Sequence, residues 1–421
     1  MGKLIKGTFL AIIVSFFIFP AEFTFLPTLF NSKNLLAAVG AVAYFYDSIW
    51  GGGFHLSRRT FISAIIAIIF SIWCLYSVTV NGTDDNTYVS YWSSFLLWIL
   101  SAYAVYFVFR VTNGGEVRLD IVVKYMAIVG VAQCVLALMI DNIGPVKRVV
   151  DAIFVGGDYY SRSLRLYGIG CALDQGGCRL SVIQVLIAHY IGSDNNVRSN
   201  NRSLGVYLTA FIIITVVGSM ISRTTLAGSI LGLVYIIFSI FLLHRGGFIS
   251  KQQTRLFLVF LFLLIAAIAL SIGLYRINAA FRSYLRFGFE AFFNWAETGE
   301  LRTGSTDTLL TTMWIWPHDP HGWAIGYGRI GVFEWGTDVG YCNFTLYCGL
   351  IGLAMFSLYF IYNHFSRVGK FRSFLPLALV LTALTFIIWA KVTTDIFFID
   401  ALLFCIDQDK DPAEEIPVPN Q

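Results

Sequence analysis

The sequence contains 421 residues, of which 57% are hydrophobic and only 13% are charged, and its mean hydropathy is +0.72. Water-soluble domains carry about a quarter charged residues, so this composition excludes a soluble globular protein and indicates a chain whose solvent is mostly lipid. The net charge of +4 comes from 29 basic and 25 acidic residues, and no run of basic residues suggests a nucleic-acid partner.

Apolar stretches long enough to cross a bilayer recur along the chain, because a helix needs about 20 apolar residues to span the hydrocarbon. The first follows the basic segment 1–6 and lacks a small-residue cleavage site, so we expect a retained anchor and not a signal peptide. The short last stretch is counted because an even number of spans places both termini on one side. The predicted spans are 6–26, 34–50, 60–80, 92–110, 120–141, 172–192, 204–221, 225–243, 256–275, 340–361, 374–390 and 395–406.

Basic residues recur in the short connections on alternate sides of the predicted spans. Lysine and arginine concentrate in cytoplasmic loops, so this side is predicted to be the cytoplasm. The residues that define it are Lys3, Lys6, Arg58, Arg59, Arg110, Arg118, Arg198, Arg202, Arg245, Lys251, Arg255, Arg367, Lys370 and Arg372. We predict an all-α fold: one polytopic membrane domain of about 12 transmembrane helices over residues 1–406. The acidic, proline-containing stretch 407–421 is then a cytoplasmic tail with the composition of a disordered segment.

Two connections, 142–171 and 276–339, are much longer than the others and fall on the predicted outer side. Long loops often carry function. Both contain many basic residues, against the positive-inside bias, which indicates an anionic ligand outside the membrane. These residues are Lys147, Arg148, Arg162, Arg165, Arg276, Arg282, Arg286, Arg302 and Arg329.

The turn Ser222-Arg223-Thr224 joins two apolar spans with almost no loop, so Arg223 is expected at the outer membrane boundary. Placing an arginine in a helix end costs up to about 3 kcal/mol, and its planar guanidinium matches phosphate oxygens in a bidentate manner. We therefore interpret Arg223 as a phosphate-binding residue. A snorkelling anchor that binds no ligand is the alternative.

The first long connection contains Arg165 in the stretch RLYGIG, and the pair Gly176-Gly177 follows where the chain re-enters the membrane. Glycines permit close approach to the backbone, so a lipid head group could lie against this segment while Arg165 meets its negative charge. An ordinary basic interfacial loop explains the same pattern equally well.

The second long connection interleaves carboxylates with aromatic residues, a pattern typical of sugar binding. Apolar sugar faces stack on Trp and Tyr, and carboxylates accept hydrogen bonds from hydroxyl groups or act as general bases. An interfacial aromatic belt is the alternative explanation for the tryptophans. His318 and His321 lack a third ligand, so no metal site is expected. The residues of the pattern are Glu290, Glu297, Glu300, Trp314, Trp316, Asp319, Tyr327, Asp338 and Tyr341.

Short motifs over residues 160–400 resemble those of the O-antigen polymerase family and its relatives, the O-antigen ligases. The motifs are Ser222-Arg223-Thr224, RLYGIG from Arg165, TGELRTGSTDTL around Arg302, IGYG at 325–328, TDVGY at 337–341 and GLIG at 349–352. In the ligases a histidine eleven positions before the first glycine of the last motif looks like the catalytic base. Asp338 stands at that position here, which favours a polymerase over a ligase.

The resemblance implies an inverting glycosyl transfer that uses no cofactor, no metal and no nucleotide sugar. The donor would be a glycan on undecaprenyl pyrophosphate, whose leaving group brings its own activation. The implied partners are the undecaprenyl-pyrophosphate-linked oligosaccharide and membrane lipid, to which a chain-length regulator protein could be added. The implied location is the bacterial inner membrane, with the active site facing the periplasm.

The resemblance also implies roles for particular residues. Arg223 would stabilise the departing pyrophosphate, and Asp338 would accept the proton of the attacking hydroxyl, with His321 as the alternative base. Lys391 and Asp395 would help to position the carrier lipid, and a structural ion pair between these two residues is the alternative. The predicted substrate-binding residues are Arg165, Arg276, Arg286, Arg302, Glu297, Tyr341 and Lys391.

The leading hypothesis is therefore a polymerase that joins lipid-carried repeat units at the outer face of the membrane. A ligase that passes the finished glycan to another acceptor is the nearest alternative. A flippase or other transporter needs a similar number of spans, but would place charged residues near the bilayer midplane between discontinuous helices. The predicted spans are nearly free of charged residues.

Overall fold

The structure is a computed structural model that describes residues 2–50, 57–115, 117–162, 165–241, 251–330, 335–368 and 374–407. Within these ranges the chain is all-helical and has no β-strand, apart from an isolated antiparallel bridge between Phe23 and Phe154. The predicted all-α class is confirmed. The predicted tail lies outside the described residues beyond Asp407, as do Arg245, Lys370 and Arg372.

A described helix overlaps each predicted span, and further helices lie between them. The α-helices in the described ranges are α1 (Gly2–Ile18), α2 (Ser32–Trp50), α3 (Arg58–Asn81), α4 (Tyr91–Thr112), α5 (Leu119–Asn142), α6 (Gly144–Ile153), α7 (Gly157–Arg162), α8 (Leu173–Ser193), α9 (Asn195–Ser199), α10 (Asn201–Ile221), α11 (Thr225–Phe241), α12 (Lys251–Ile277), α13 (Ala279–Gly288), α14 (Glu290–Thr298), α15 (Gly304–Thr312), α16 (Pro320–Ala324), α17 (Gly340–Phe365), α18 (Leu375–Trp389) and α19 (Phe397–Asp407).

Six helices in the described part of the chain are long and apolar enough to cross a membrane: α3, α4, α5, α10, α17 and the Phe257–Ile277 part of α12. Shorter apolar helical segments are Leu4–Ile18, Thr225–Ser239, Leu375–Trp389 and Phe397–Ile406. Such apolar runs form helices because a helix satisfies its own backbone groups where no water is present. The architecture is that of a multipass membrane protein.

The first predicted span, 6–26, is too long at its C-terminal end. α1 ends at Ile18 because Pro20 has no backbone N–H and disfavours helical geometry at the residue before it. The Ser32 hydroxyl then donates to the Phe16 carbonyl at 3.1 Å and accepts from Ala21 N at 2.9 Å. These bonds hold the start of α2 beside the end of α1.

Contacts between helix termini show which connections share an end of the bundle. Lys6 Nζ donates to the Thr112 carbonyl, and the Tyr362 hydroxyl donates to the Arg59 carbonyl at 3.4 Å. Basic residues from different short connections therefore lie beside the termini of neighbouring helices.

The opposite end, called the loop end below, carries both long connections, the turn 222–224 and the segment 390–396. The two connections are not plain loops as predicted, because α6 and α7 lie in the first and α13 to α16 in the second. Polar caps begin three of these helices: Asn278 accepts from Phe281 N, Thr303 from Thr306 N, and Asp319 from Gly322 N. Short helices therefore make up much of the second long connection.

α17 is broken at Gly349, where φ is 68° and ψ is −178°. The break frees backbone carbonyls, and neighbouring side chains satisfy them. The Ser77 hydroxyl donates to the Tyr347 carbonyl at 2.8 Å, and Trp73 Nε1 donates to the Cys348 carbonyl at 2.8 Å. Protein groups therefore take the place of the missing helical hydrogen bonds.

The IGYG and GLIG motifs meet at this break. A Cβ on Gly349 would lie 2.2 Å from the Ala324 carbonyl oxygen, and a Cβ on Gly326 would lie 2.5 Å from the Tyr347 carbonyl. Only glycine permits this approach of one backbone to the other. The contact anchors the second long connection on the membrane domain.

We expect Gly349→Ala to lower the thermal stability of the detergent-purified protein far more than Gly299→Ala. Both glycines have positive φ, so alanine costs about 1–3 kcal/mol of backbone strain at either position. Nothing lies within 4 Å of the Cβ position at Gly299, whereas Gly349 adds the overlap with Ala324. Equal losses of melting temperature would show that the contact between the two motifs contributes no stability.

Candidate functional site

The turn between α10 and α11 packs against the first turn of α8 because Gly177 has no side chain. A Cβ there would lie 2.7 Å from Ser222 Cβ. The approach brings Asp174 to the turn, where its Oδ1 accepts from Ser222 Oγ at 2.8 Å and from Thr224 Oγ1 at 2.7 Å. The serine and the threonine of the motif therefore hold Asp174, and the arginine between them contacts a different element.

Lys391 joins the same carboxylate from the segment that follows α18. Its Nζ donates to Asp174 Oδ1 at 2.8 Å and to Thr224 Oγ1 at 3.0 Å. The two charged side chains are 33% and 26% exposed, so solvent or a ligand can reach the pair. The alternative of an ion pair between Lys391 and Asp395 is wrong, because Asp395 accepts instead from the Phe397 backbone N–H.

Arg223 is held by the second long connection. Its Nε donates to the Phe287 carbonyl at 2.8 Å, its Nη1 donates to Ser305 Oγ at 2.6 Å, and its Nη2 forms an ion pair with Glu290. The guanidinium carbon lies 4.3 Å from the centroid of the Phe287 ring. Burial lowers the pKa of Arg223, and the Glu290 carboxylate opposes that shift, so the group remains a cation. This arrangement differs from a snorkelling anchor, which would extend freely into the head groups.

Arg165 meets Arg223 across the same aromatic ring. Its guanidinium carbon lies 5.0 Å from the Phe287 centroid, and no hydrogen bond or ion pair joins it to another residue of the described ranges. The two guanidinium groups repel each other, which contributes to the lowered pKa of Arg223. We call Arg165, Arg223 and Lys391 the cationic cluster. Counted by formal charge, three basic side chains face two carboxylates, those of Asp174 and Glu290.

Asp338 lies on the segment before α17, whose backbone contacts the segment that carries Lys391. Thr393 Oγ1 donates to the Asp338 main-chain carbonyl at 3.2 Å, and Thr393 is two residues from Lys391. The Asp338 side chain is exposed, and its carboxylate has no hydrogen-bond or ion-pair partner in the part of the chain that the structure describes. A carboxylate in this state is available to accept a proton.

An aromatic strip begins three residues from Asp338. Tyr341 and Trp314 stack with centroids 6.5 Å apart, Trp314 lies 5.8 Å from Trp316, and Trp316 stacks on Trp323 at 5.7 Å. Trp314 is 36% exposed and Trp323 is 37% exposed. Exposed ring faces in a row suit the apolar faces of sugars, so the strip can orient a glycan beside the carboxylate.

Arg286 and Glu297 pair with each other and are not part of this site. Two hydrogen bonds of 2.7 and 2.8 Å join the guanidinium to the two carboxylate oxygens, linking α13 to α14. These bonds lower the pKa of Glu297. Glu297 is therefore ionised, but both of its carboxylate oxygens already bind Arg286, so it is a poor proton acceptor.

Arg302, Arg276 and His321, three further predicted residues, make no contact with the cationic cluster among the described residues. Arg302 is 60% exposed and binds Asp307 in its own connection at 3.1 Å. Arg276 is exposed at the end of α12. His321 is exposed and its Nε2 lies 3.1 Å from Asn81 Oδ1, at the end of α3. Among the described residues, these contacts connect none of the three to the cationic cluster.

The glycines of the first long connection contact protein. A Cβ on Gly168 would lie 2.3 Å from Gln133 Oε1, and a Cβ on Gly170 would lie 2.4 Å from the Phe19 carbonyl oxygen. The prediction that these glycines let a lipid head group reach the backbone is wrong, because protein already fills the space. Their role is to bring Arg165 to the loop end.

Asp174, Phe287 and Ser305 had no predicted role, and Glu290 was predicted only as one carboxylate of the sugar-binding pattern, although all four contact the cationic cluster. An acidic residue at the start of an apolar span needs a partner, and this signal could have identified Asp174. No comparable signal exists for Phe287 or Ser305. Their contacts with Arg223 depend on how α13 packs on α10 and on where α15 begins.

Comparisons of the chain with protein-family models, with curated proteins and with solved structures found no match. The site is therefore interpreted through its own chemistry and the resemblance of its motifs. A cationic cluster, a carboxylate without a partner and an aromatic strip can bind a polyanion next to a sugar and accept a proton there.

Proposed function

We propose that this chain is a polysaccharide polymerase of the bacterial inner membrane. It would transfer a growing glycan from undecaprenyl pyrophosphate to a lipid-linked repeat unit, with the loop end in the periplasm. The proposal includes twelve spans: the six long apolar helices and α1, α2, α8, α11, α18 and α19. That count places both termini with the short basic connections, in accordance with the positive-inside rule.

The observation that supports the proposal is the cationic cluster, in which Arg165 and Arg223 share the Phe287 ring and Lys391 binds Thr224. The Asp338 backbone joins it through Thr393, two residues from Lys391. Arg165, Arg223, Lys391 and Asp338 come from four separate parts of the chain. Arg165 and Arg223 were predicted to meet phosphate and Asp338 to accept a proton, whereas Lys391 was predicted to help position the carrier lipid. The cationic cluster carries one more charge than the two carboxylates it contacts. An anionic group at the loop end would balance it.

In the proposed reaction, the acceptor hydroxyl oxygen attacks the anomeric carbon of the donor glycan. The bond from that carbon to the pyrophosphate oxygen breaks, and its electron pair leaves with the pyrophosphate. Arg165, which has no carboxylate partner among the described residues, would meet the diphosphate first, and Arg223 would exchange Glu290 for phosphate oxygens. Asp338 would take the hydroxyl proton, which becomes more acidic as the new bond forms.

The break in α17 bears on the transporter alternative. Transporters use broken helices whose freed backbone groups coordinate the substrate or an ion. Here Ser77 and Trp73 already occupy the carbonyls of Tyr347 and Cys348. The break therefore serves to position the second long connection, and these two carbonyls are not available to a ligand.

Purified protein given a defined undecaprenyl-pyrophosphate-linked repeat unit tests the proposal. We expect a ladder of products that differ by one repeat unit. A single transfer to a different acceptor without a ladder would indicate a ligase. Movement of the lipid-linked unit across a vesicle membrane without any new glycosidic bond would indicate a transporter.

Chelation should leave polymer formation unchanged. In the proposed reaction guanidinium and ammonium groups stabilise the leaving pyrophosphate, which is the task of a divalent cation in many other phosphate sites. The rate of ladder formation is to be compared with and without an excess of EDTA, followed by dialysis. A strict requirement for added metal would contradict this mechanism.

A further inference from the structure

A groove with a volume of about 520 Å³ runs between α5 and α10 and is called the α5–α10 groove below. Both helices are long and apolar enough to cross a membrane. Ile128 is 44% exposed and Val206 is 56% exposed, so the groove opens on a surface of the bundle that would face lipid. Its apolar lining includes Ala127, Ile128, Val131, Val206, Ala210 and Ile213. Such a lining suits a hydrocarbon chain, because lipid tails are as apolar as these side chains.

The α5–α10 groove has about the length of one bilayer leaflet. Both helices end at the loop end, so both begin at the opposite end of the bundle. The deepest lining residues are Val131 and Ile213, which lie twelve positions beyond Leu119 and Asn201, the first residues of the two helices. Twelve positions span about 18 Å of helix, and one leaflet of a hydrocarbon core of about 30 Å measures about 15 Å. A single acyl chain of the leaflet on that side therefore fits the groove.

Two basic side chains line the groove near the start of these helices. Lys124 lies in the second turn of α5, and Arg202 lies in the first turn of α10. Both are exposed, and neither side chain makes a hydrogen bond or an ion pair with a residue that the structure describes. Asp120 is one turn before Lys124, but Arg118 already binds it through two hydrogen bonds of 3.1 and 2.9 Å. Two positive charges therefore lie at the head-group end of the groove without a carboxylate partner.

A second apolar groove, between α2 and α4, shows the opposite arrangement. Its volume is about 690 Å³, and Arg110 is its one basic residue among the described side chains. Asp47 lines the same groove and accepts from Arg110 Nη2 through both carboxylate oxygens, while the Tyr103 hydroxyl donates to Asp47 at 2.6 Å. The formal charge of this groove is zero, so it can hold a lipid chain without selecting a head group.

We propose that the α5–α10 groove binds an anionic phospholipid, with one acyl chain along the groove and the phosphate between Lys124 and Arg202. Ammonium and guanidinium groups both form charge-assisted hydrogen bonds with phosphate oxygens. Basic pockets between transmembrane helices bind anionic head groups on the cytoplasmic side, which is the side predicted for the start of α5 and α10. In phosphatidylcholine the choline cation cancels the phosphate charge, so the two basic residues favour a lipid with a net negative charge. The inference does not depend on the proposed glycosyl transfer.

Binding of phosphatidylglycerol and phosphatidylcholine with identical acyl chains tests the head-group part of this inference. The lipids are titrated into detergent-purified full-length protein, and the first bound lipid is counted by native mass spectrometry. Each basic residue should contribute about fivefold in affinity, so the wild type should prefer phosphatidylglycerol by about twenty-five-fold. Lys124→Gln and Arg202→Gln should each weaken phosphatidylglycerol binding about fivefold, and the double variant should lose the preference. Arg58→Gln is the matched control, because it removes an exposed positive charge at the start of α3, away from the groove.

Gly205→Leu tests the acyl-chain part and leaves both basic residues in place. Gly205 lines the groove, and nothing lies within 4 Å of the position that a Cβ would take there. Leucine would therefore occupy the groove without displacing protein, and it favours a helix more than glycine does. We expect this variant to weaken phosphatidylglycerol binding by about tenfold or more, because the chain loses its apolar contacts. Gly273→Leu, at a helical glycine of α12 with equally open surroundings, should bind like the wild type.

Three results would overturn the inference. Unchanged phosphatidylglycerol binding in both Lys124→Gln and Arg202→Gln would show that these charges do not hold the head group. An equal loss in Arg58→Gln would show that the lipid responds to the net charge of the protein. Undiminished binding in Gly205→Leu would place the lipid outside the groove. If Gly205→Leu does not fold, the charge variants and their control decide the question, because the substituted side chains are exposed.

Discussion

Replacing Arg223 by alanine should abolish polymer formation while the protein still reaches the membrane. The guanidinium is the group that we place on the departing pyrophosphate, and the loss of one such stabilising donor lowers rates by about a hundredfold to a thousandfold. The measurement is ladder formation by the purified variant at equal protein concentration. Wild-type laddering from Arg223→Ala would remove this residue from the mechanism.

The structure also gives Arg223 a structural role, since it binds Phe287, Ser305 and Glu290. Glu290→Gln separates the two roles. It removes the ion pair but leaves the guanidinium free to meet phosphate, so we expect polymer formation to be retained. If the only role of Arg223 is to hold the second long connection through its ion pair with Glu290, then Glu290→Gln should lose activity as Arg223→Ala does. Arg118→Ala, at the other end of the bundle, controls for the loss of any arginine.

Asp338→Asn should retain donor binding and thermal stability and lose turnover. The carboxylate makes no contact with described residues that the amide would disturb, so the change removes a proton acceptor and little else. Loss of a general base lowers turnover by about 10²–10⁴-fold. Single-turnover rates with saturating donor, measured beside equilibrium binding of the same donor, distinguish this from a binding defect.

Two comparisons make the test of Asp338 sharper. Asp319→Asn changes an aspartate whose oxygens accept from Gly322 N and the Tyr327 hydroxyl, and these bonds lower its pKa. That variant should affect the order of the connection and leave the base in place. An active Asp338→Asn enzyme would move the base to His321, because Glu297 is already paired with Arg286.

The residue pattern alone determined the class of this protein and the position of its helices. A chain with 57% hydrophobic residues has too few polar side chains to cover its surface in water. In lipid, a run of about 20 apolar residues is stable as a helix, because a helix satisfies its own backbone hydrogen bonds. The error at α1 is local in origin, since Pro20 interrupts an apolar run that continues to residue 26. Local rules of composition and backbone geometry were sufficient here because each helix satisfies its own hydrogen bonds.

The partners of the charged residues were decided by the tertiary structure. An ion pair between Lys391 and Asp395, four residues away, was the alternative that sequence spacing offered. Lys391 instead binds Asp174, which is 217 positions distant. In the sequence, Arg286 looks as suitable as Arg223, and Glu297 as suitable as Asp338. In the structure, Arg286 and Glu297 neutralise each other. A charged side chain is available to a ligand only when packing leaves it without an oppositely charged partner. The spacing of residues in the sequence does not show which charged side chains find such a partner.

The same limit applies to glycine motifs. RLYGIG and IGYG look alike as sequences, and the glycines of the first connection were predicted to let a lipid head group approach the backbone. In the structure, Gly170 lies against the Phe19 backbone and Gly326 against the Tyr347 backbone. A glycine in the sequence indicates that protein or ligand atoms approach the backbone closely at that position, because glycine has no Cβ to block them. Whether protein or a ligand fills the space beside the glycine depends on which distant helix packs there. That packing is decided only when the helices assemble into the bundle.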